Sequence, residues 1–261
     1  MNMTQNSILI TGGTSGIGLA LAKKLTEKGN NVAVLGRSEE KLTMVQEKYP
    51  DILTFKGDVT NLSSLIKLKE WLMNYLPNLN IIINSAGVMN SHNLLNPDLP
   101  LENLLSDIEI NLIGTIAVNQ LFLSQLMKQE EAMIVNISSG LAYLSSAAHP
   151  TYSASKSGVQ MYTSALRNQL NYAKKEFIHV MELVPPLVAE IGLQDGNLSG
   201  TFGNMSLDAL VKAALKGMEK NKKRVNAGAA KQLHLMGQVS QNKMETIMAK
   251  ESLKQAFPKG L

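Results

Sequence analysis

Short apolar runs alternate with longer amphipathic segments along the chain, and this alternation constrains the fold more than any other feature. The apolar, β-branched runs predict strands at Ser7–Thr11, Asn31–Leu35, Ile52–Lys56, Asn80–Asn84, Ala132–Ser138 and Ile178–Val184. Helical periodicity appears between or after them, near residues 16–29, 38–48, 61–76, 101–129 and 151–174. Continuous apolar strands separated by helices indicate a parallel sheet covered on both faces. We therefore predict an α/β fold with a doubly wound, mainly parallel sheet of six or seven strands.

A glycine-rich segment, Ile10–Gly18, joins the first predicted strand to the first predicted helix. This is where a Rossmann-type sheet binds the pyrophosphate of a dinucleotide. Gly12 permits a tight turn, Gly16 lets backbone N–H groups approach phosphates, and Gly18 allows close helix–strand packing. A merely tight turn is the alternative, but the flanking strand and helix favour a phosphate loop. The predicted cofactor-binding residues here are Gly12, Thr14, Ser15, Gly16, Ile17 and Gly18.

The end of the second predicted strand bears on which dinucleotide is bound. Rossmann sites that prefer NAD usually have an acidic residue here, which binds the ribose 2′-hydroxyl. This chain has Gly36 followed by Arg37. A guanidinium suits a 2′-phosphate, and no carboxylate repels it. The sequence thus favours NADP(H) over NAD(H), with a solvated Arg37 at a helix start as the alternative.

A tyrosine and a lysine four residues apart, Tyr152 and Lys156, lie on one face of a predicted helix. A phenol transfers protons poorly near neutral pH unless its pKa is lowered, and a neighbouring ammonium has that effect. Ser139 ends an apolar strand thirteen residues upstream and is predicted to point into the same crevice. Ser138 competes for this role, because strand alternation lets only one of the two face the site, and spacing favours Ser139.

Several motifs then occur in order: TGxxxGIG at 11–18, Asp58-Val59, Asn84-Ser85-Ala86-Gly87, Asn111, Ser139 and Tyr152-x-x-x-Lys156. In this combination, residues 7–188 resemble the short-chain dehydrogenase/reductase superfamily. The resemblance implies an NADP(H)-dependent oxidoreductase that transfers hydride between a nicotinamide and a carbonyl or alcohol. The alternative is a non-catalytic dinucleotide-binding redox sensor or scaffold.

The resemblance also implies roles for the matching residues. Asp58 and Val59 contact the adenine end of the cofactor, and Asn84, Ala86 and Gly87 line its cleft. The implied catalytic residues are Ser139, which orients the carbonyl, Tyr152, the general acid/base, Lys156, which binds ribose and tunes Tyr152, and Asn111, which holds a relay water.

The match weakens after the sixth predicted strand, where the chain reads Pro185-Pro186-Leu187-Val188-Ala189-Glu190. The family commonly has Gly at position 186 and Thr at position 190, so the contact with the nicotinamide carboxamide is in question. Pro185 and the backbone of Val188 remain expected cofactor contacts. The tetrapeptide 185–188 resembles a bacterial branch of DltE-like proteins. Residues 189–204 are predicted to form a substrate lid, with a permanently flexible loop as the alternative.

The C-terminal part of the chain departs from many family members. Leu207–Lys220 is predicted to be a helix, Arg224–Ala227 a short strand, and residues 229–257 a helical extension with an interrupted apolar stripe. Such a stripe usually belongs to a core or a subunit interface. Self-association is common in the family that the chain resembles, so the resemblance implies a homodimer or homotetramer. Residues 212–261 hold 11 Lys/Arg against 3 Asp/Glu, so the basic excess belongs to this part alone. We expect a solvated face there rather than membrane contact.

Other features exclude several kinds of function. The four histidines show no metal-ligand spacing, so no metal site is expected, and the few aromatic residues form no stacking platform for nucleic acid. The absence of cysteine makes a cytoplasmic location the default expectation. We predict one Rossmann-type domain over residues 1–261, because no linker composition interrupts the chain.

Overall fold

The structure, a computed structural model, describes residues 1–186, 205–258 and 260–261. All strand pairs in its seven-stranded sheet are parallel, and the strand order is β3-β2-β1-β4-β5-β6-β7. The strands are β1 Ser7–Thr11, β2 Asn31–Gly36, β3 Ile52–Lys56, β4 Leu79–Asn84, β5 Ala132–Ile137, β6 Ile178–Val184 and β7 Arg224–Asn226. The predicted fold class is confirmed.

Helices cover both faces of the sheet. Two apolar cores form because alternate residues of each central strand point to opposite faces: Ile8 and Ile10 of β1 belong to one core, and Leu9 belongs to the other. The first core packs against α1 Gly16–Glu27, α2 Glu39–Lys48 and α7 Leu207–Glu219. The second packs against α3 Leu62–Tyr75, α5 Gly114–Leu126 and α6 Pro150–Tyr172.

The prediction of helix near residues 101–129 is wrong in one respect, because a π-helical turn interrupts the segment. Helix α4 covers Leu101–Asp107, a π-helical turn follows at Ile108–Ile113, and only then does α5 begin. The N–H of Gly114 donates to the carbonyl of Glu109, five residues back, which widens the helix locally. The hydroxyl of Thr115 donates to the carbonyl of Asn111 over 2.8 Å. The turn therefore presents Asn111 towards its neighbours.

The predicted C-terminal extension forms helix α8, Ala230–Ala256, with a kink at Ser240, where the backbone is extended. Its first half packs against the segment after β5: a Cβ on Gly140 would lie 2.6 Å from Cδ1 of Leu233. The ring of Tyr143 lies 4.5 Å from that of His234, measured between centroids. This helix thus borders the carboxyl end of the sheet. The predicted lid, residues 189–204, lies outside the described residues, as do Val188 and Glu190.

The direction of chain winding changes between β1 and β4, which are neighbours in the sheet. In open α/β sheets, ligands bind in the crevice at the carboxyl ends of the strands at this point. Thr11 closes the bottom of the crevice, because its hydroxyl accepts hydrogen bonds from the N–H groups of Ser85 (3.2 Å) and Ala86 (3.1 Å). The loops after β1 and β4 are thereby joined.

Candidate active site

The glycine loop between β1 and α1 has no room for side chains where it packs against the loop after β4 and against itself. Gly12 has φ +65°, and a Cβ there would lie 2.7 Å from Cα of Ala86. Gly16 also has a left-handed backbone, with φ +51°. A Cβ on Gly18 would lie 2.4 Å from the carbonyl oxygen of Gly12. The loop is therefore a cradle of backbone groups at a helix N-terminus.

The other predicted loop residues surround this cradle. Ser15 precedes α1, is exposed, and makes no side-chain capping bond, so the first-turn N–H groups of α1 point outward without a capping side chain. Ile17 is buried and anchors the helix in the core. Thr14 is half-buried and covers Gly36 at the end of β2.

Gly36, at the end of β2, packs against the side chain of Thr14. A Cβ on Gly36 would lie 2.5 Å from Cγ2 of Thr14, so a side chain at this position would require Thr14 to move. The next residue, Arg37, keeps 60% of its side chain exposed. Its guanidinium lies 4.0 Å from the carboxylate of Asp58, which follows β3. The structure thus brings Arg37 and Asp58 together beside the carboxyl ends of β2 and β3.

Asp58 and Val59 hold the segment between β3 and α3. The Asp58 carboxylate accepts hydrogen bonds from the N–H (2.9 Å) and hydroxyl (2.8 Å) of Thr60. Asn61 caps α3 by accepting a hydrogen bond from the N–H of Ser64 over 2.9 Å, which confirms the predicted helix start. Val59 is buried against Gly114, where a Cβ would lie 2.6 Å from its Cγ2. Its side chain therefore packs into the fold.

Asn84, at the end of β4, belongs to a buried amide network that sequence reasoning missed. Its Nδ2 donates to Asn119 (2.7 Å) and Asn136 (2.8 Å), and Asn136 donates to the hydroxyl of Thr163 (2.9 Å). These residues come from two strands and two helices, α5 and α6. The network fixes α6 against the sheet.

Ser139 and Tyr152 meet at the carboxyl end of β5. The Ser139 side chain lies beside the Tyr152 hydroxyl and acts on its pKa as a hydrogen-bonding partner. Ser138 points away, because its hydroxyl donates to the buried carboxylate of Glu182 over 2.6 Å. The structure therefore agrees with the choice of Ser139 over Ser138. Pro185, at the end of β6, accepts a hydrogen bond from the N–H of Gly140 over 3.0 Å and so holds the strand end beside Ser139.

Lys156 lies one helical turn after Tyr152 in α6 and is buried with it. Its Nζ donates to the carbonyl of Ile137 over 3.0 Å and lies 5.7 Å from the centroid of the Tyr152 ring. A Cβ on Gly87 would lie 3.4 Å from that Nζ and 3.1 Å from Oδ1 of Asn111. Gly87 thus lies close to both Asn111 and Lys156, and a side chain there would crowd them.

Asn111 connects the π-helical turn to the loop after β4 and to helix α6. Its Oδ1 accepts from the N–H of Val88 (2.8 Å), and its Nδ2 donates to the carbonyl of Val88 (2.9 Å) and the hydroxyl of Ser155 (2.9 Å). The side chain is therefore engaged by the protein. A relay water, which the resemblance implies, would have to use the main-chain carbonyl, which Thr115 already contacts.

The prediction that the protein's own groups lower the pKa of Tyr152 is wrong. Burial raises the pKa of Tyr152 to about 12, against the hydrogen bond from Ser139, which lowers it. Burial also lowers the pKa of Lys156 to about 8. The cause is desolvation, which penalises phenolate and ammonium alike. At neutral pH the phenol is protonated and able to donate.

Sequence reasoning also missed a buried polar cluster beside α6. Asp107 accepts a hydrogen bond from the hydroxyl of Thr151 over 2.7 Å, and Nε2 of His92 lies 3.6 Å from the same carboxylate oxygen. His149 contacts Ser91 and Ser146, each over 3.0 Å. No spacing signal marks these residues, because they come from three separate segments.

Together, the fold and these contacts define a dinucleotide-binding α/β protein with a serine, a tyrosine and a lysine at the open end of its crevice. Residues 6–195 match the sequence profile of the family described as short chain dehydrogenase. The chain belongs to the short-chain dehydrogenase family and is an oxidoreductase.

Relatives and solved structures agree with this assignment. The chain is 36% identical over 228 residues to the uncharacterized oxidoreductase DltE of Bacillus subtilis, covering 86% of this chain and 89% of the relative. The resemblance to a DltE-like branch is thus confirmed. A Staphylococcus aureus uncharacterized oxidoreductase is 31% identical over 188 residues, covering 71% of this chain and 79% of its own length.

Two solved structures share the fold at low identity. A short chain dehydrogenase from Burkholderia cenocepacia, in complex with NADP, has a TM-score of 0.81 at 20% identity, covering 95% of this chain and 99% of that one. One from Burkholderia phymatum, in complex with NAD, has a TM-score of 0.81 at 18% identity, covering 95% and 96%.

The part of the chain that the structure describes contains neither a membrane-spanning helix nor a cluster of metal ligands. No helix there has the length and apolar character to cross a membrane. Over the same residues, His, Asp and Glu side chains form no group of three that could hold a metal ion.

Proposed function

We propose that the protein is an NADP(H)-dependent carbonyl reductase or alcohol dehydrogenase with Tyr152 as its general acid/base. The observation that carries this proposal is the placement of Lys156 one helical turn after Tyr152, both buried, with Nζ 5.7 Å from the centroid of the Tyr152 ring and with Ser139 beside the phenol. A small-molecule carbonyl or alcohol is the proposed substrate.

The crevice fits a nicotinamide dinucleotide. The backbone cradle at Gly12, Gly16 and Gly18 suits a pyrophosphate, since side chains are excluded there and a helix N-terminus faces it. Gly87 carries no side chain that would stand between the Lys156 ammonium and ribose hydroxyls. Asp58 and Arg37 lie at the adenine end. When bound, the dinucleotide supplies or accepts the hydride.

The protein's own residues then handle the proton. Ser139 donates a hydrogen bond to the substrate oxygen and holds it beside Tyr152. Tyr152 donates its phenolic proton to the oxygen as negative charge develops there, and the same path reversed oxidises an alcohol. Lys156 stabilises the resulting phenolate through its positive charge, and Asn111 keeps α6 in register with the loop after β4.

The preference for NADP(H) rests on Arg37. It is exposed after the end of β2, and Gly36 beside it carries no carboxylate that would repel a 2′-phosphate. Titration of NADPH and NADH by fluorescence tests it. We expect tighter binding of NADPH, and loss of that difference in Arg37→Ala, because a charge-assisted contact is worth about 1.5–3 kcal/mol. Equal affinities in the parent protein would refute the preference.

Catalysis is tested by NADPH consumption with a panel of carbonyl compounds. Tyr152→Phe should lower turnover by about 10²- to 10⁴-fold, because it removes the transferable proton. NADPH binding should persist in this variant, since the ring remains. A mutant as fast as the parent would show that Tyr152 is not the acid. NADPH binding without turnover of any substrate would instead favour a redox sensor or scaffold.

We also propose that the protein forms a homodimer or homotetramer. Several large apolar side chains are exposed on the side formed by the π-helical turn, α5 and α6, among them Ile113, Met161 and Tyr172. Exposed apolar clusters commonly mark subunit interfaces. Light scattering coupled to size-exclusion chromatography tests this, and a monomer at micromolar concentration would contradict it.

A further inference from the structure

Asp107 is a fully buried carboxylate at the end of α4, and none of its surface is exposed. Its Oδ2 accepts a hydrogen bond from the Thr151 hydroxyl over 2.7 Å, and its Oδ1 accepts one from Nδ2 of Asn90 over 3.2 Å. His92, also buried, places Nε2 3.6 Å from Oδ2. A buried carboxylate is costly to maintain unless such partners stabilise it.

The position of Asp107 joins three segments that carry the active site. It directly precedes the π-helical turn that contains Asn111. Its partner Thr151 directly precedes Tyr152 in the first turn of α6. His92 belongs to the loop after β4, and its N–H donates to the carbonyl of Ala148 over 3.0 Å, just before α6. A shift of Asp107 would therefore move Tyr152 relative to Asn111.

We propose that Asp107 is a positioning residue for the Tyr152–Lys156 pair, acting through Thr151 and through its buried negative charge. This inference rests on the proposed function. The hydrogen bond from Thr151 holds the first turn of α6, and the charge favours the protonated forms of both Tyr152 and Lys156.

The charges around Asp107 support the electrostatic part. Burial is the largest influence on the pKa values of Tyr152 and Lys156, and Asp107 raises both. Burial raises the pKa of Asp107 itself, while Thr151 and His92 lower it. The other titratable groups nearby are His149, before α6, and the exposed Glu102 and Glu109 on α4 and the π-helical turn. Among the described residues, Asp107 is thus the buried carboxylate whose charge acts on both members of the pair.

The test is the pH dependence of kcat/KM and of NADPH affinity in Asp107→Asn. Removal of the negative charge should let Lys156 and Tyr152 lose their protons at lower pH. The alkaline limb of kcat/KM should therefore move to lower pH, and NADPH binding should weaken at lower pH than in the parent. Turnover at pH 7 should fall by about 10- to 100-fold, because an amide NH2 replaces one of the two oxygens that accept hydrogen bonds from Thr151 and Asn90, which loosens the position of α6.

A second pair of variants separates position from charge. Thr151→Val removes the hydrogen bond and leaves the charge, so it should lower kcat without moving the alkaline limb. Thr151→Ser should recover most of that loss, because it keeps the hydroxyl. These variants also test the proposal if Asp107→Asn does not fold.

Glu182→Gln is the matched control, since Glu182 is equally buried but pairs with Ser138 and Arg224. An alkaline limb that moves equally in Asp107→Asn and Glu182→Gln, or in neither, would overturn the inference. If the parent turns over no substrate, the proposed function fails, and the pH dependence of NADPH affinity still decides the role of Asp107. An unchanged affinity profile in Asp107→Asn overturns it.

Discussion

Gly12 and Gly29 have the same kind of left-handed backbone, with φ of +65° and +80°, but different surroundings. A Cβ on Gly12 would lie 2.7 Å from the Ala86 backbone, whereas one on Gly29 would meet nothing within 4 Å. The two positions therefore separate backbone strain from close approach. Only at Gly12 do both operate, and only Gly12 lies in the proposed phosphate cradle.

We expect Gly12→Ala to lower the free energy of unfolding by about 3 kcal/mol and to abolish dinucleotide binding, because strain and overpacking add. Gly29→Ala should cost about 1–2 kcal/mol, the left-handed penalty alone, and leave binding unchanged. Urea unfolding and NADPH fluorescence measure the two effects. Equal costs at both positions would contradict the close approach of the two loops.

His149 gives a pH dependence of stability with a definite sign. Burial lowers its pKa from the ordinary 6.5 to about 4, with a smaller contribution from His92. As the pH falls below 6.5, the unfolded chain takes up a proton at this residue while the folded protein does not, so stability declines until about pH 4. The contribution is about 3 kcal/mol at most.

Urea unfolding at pH 7 and pH 5 tests this expectation in the parent and in His149→Gln. The variant should be less stable at pH 7, because it loses contacts to Ser91 and Ser146. Its further decline between the two pH values should be smaller than that of the parent. Identical declines would show that His149 titrates normally in the folded protein.

At the scale of elements, helix α8 borders the site through its first turns, where Ala230 and Leu233 are buried beside Gly140. Leu233 is 5% exposed and packs against Gly140, the residue after Ser139, whereas Leu235 on the same helix is 60% exposed. Leu233→Ala should cost about 2–4 kcal/mol and reduce turnover, because the segment after Ser139 loses its support. Leu235→Ala should stay within about 0.5 kcal/mol. Thermal and urea unfolding, with the carbonyl assay, measure both.

Regular elements were predictable because their signals are local. All seven strands were predicted to within one residue at each end, since runs such as Asn31–Leu35 are apolar, β-branched and bounded by turn residues. The π-helical turn at Ile108–Ile113 was not predicted. Its one extra residue barely alters the helical periodicity, and what maintains it is the contact of Asn111 with Val88 and Ser155.

At the scale of the whole molecule, the motif residues were predictable and their buried partners were not. Ser139, Tyr152 and Lys156 lie together as expected, because parallel strands bring their carboxyl ends to one edge of the sheet. Asp107 and His92 carry no spacing signal, since their contact depends on the packing of separate segments. The raised pKa of Tyr152 was not predictable for the same reason. It results from burial, which depends on how separate segments pack and not on the spacing of residues along one helix.

The most direct test of the central claim is a crystal structure of the protein in complex with NADP⁺. We expect the pyrophosphate to contact the backbone of the Gly12–Gly18 loop. We also expect Lys156 Nζ to contact the nicotinamide ribose and the nicotinamide ring to lie beside the Tyr152 hydroxyl. A dinucleotide bound elsewhere, or one whose nicotinamide end turns away from Tyr152 and Lys156, would contradict it.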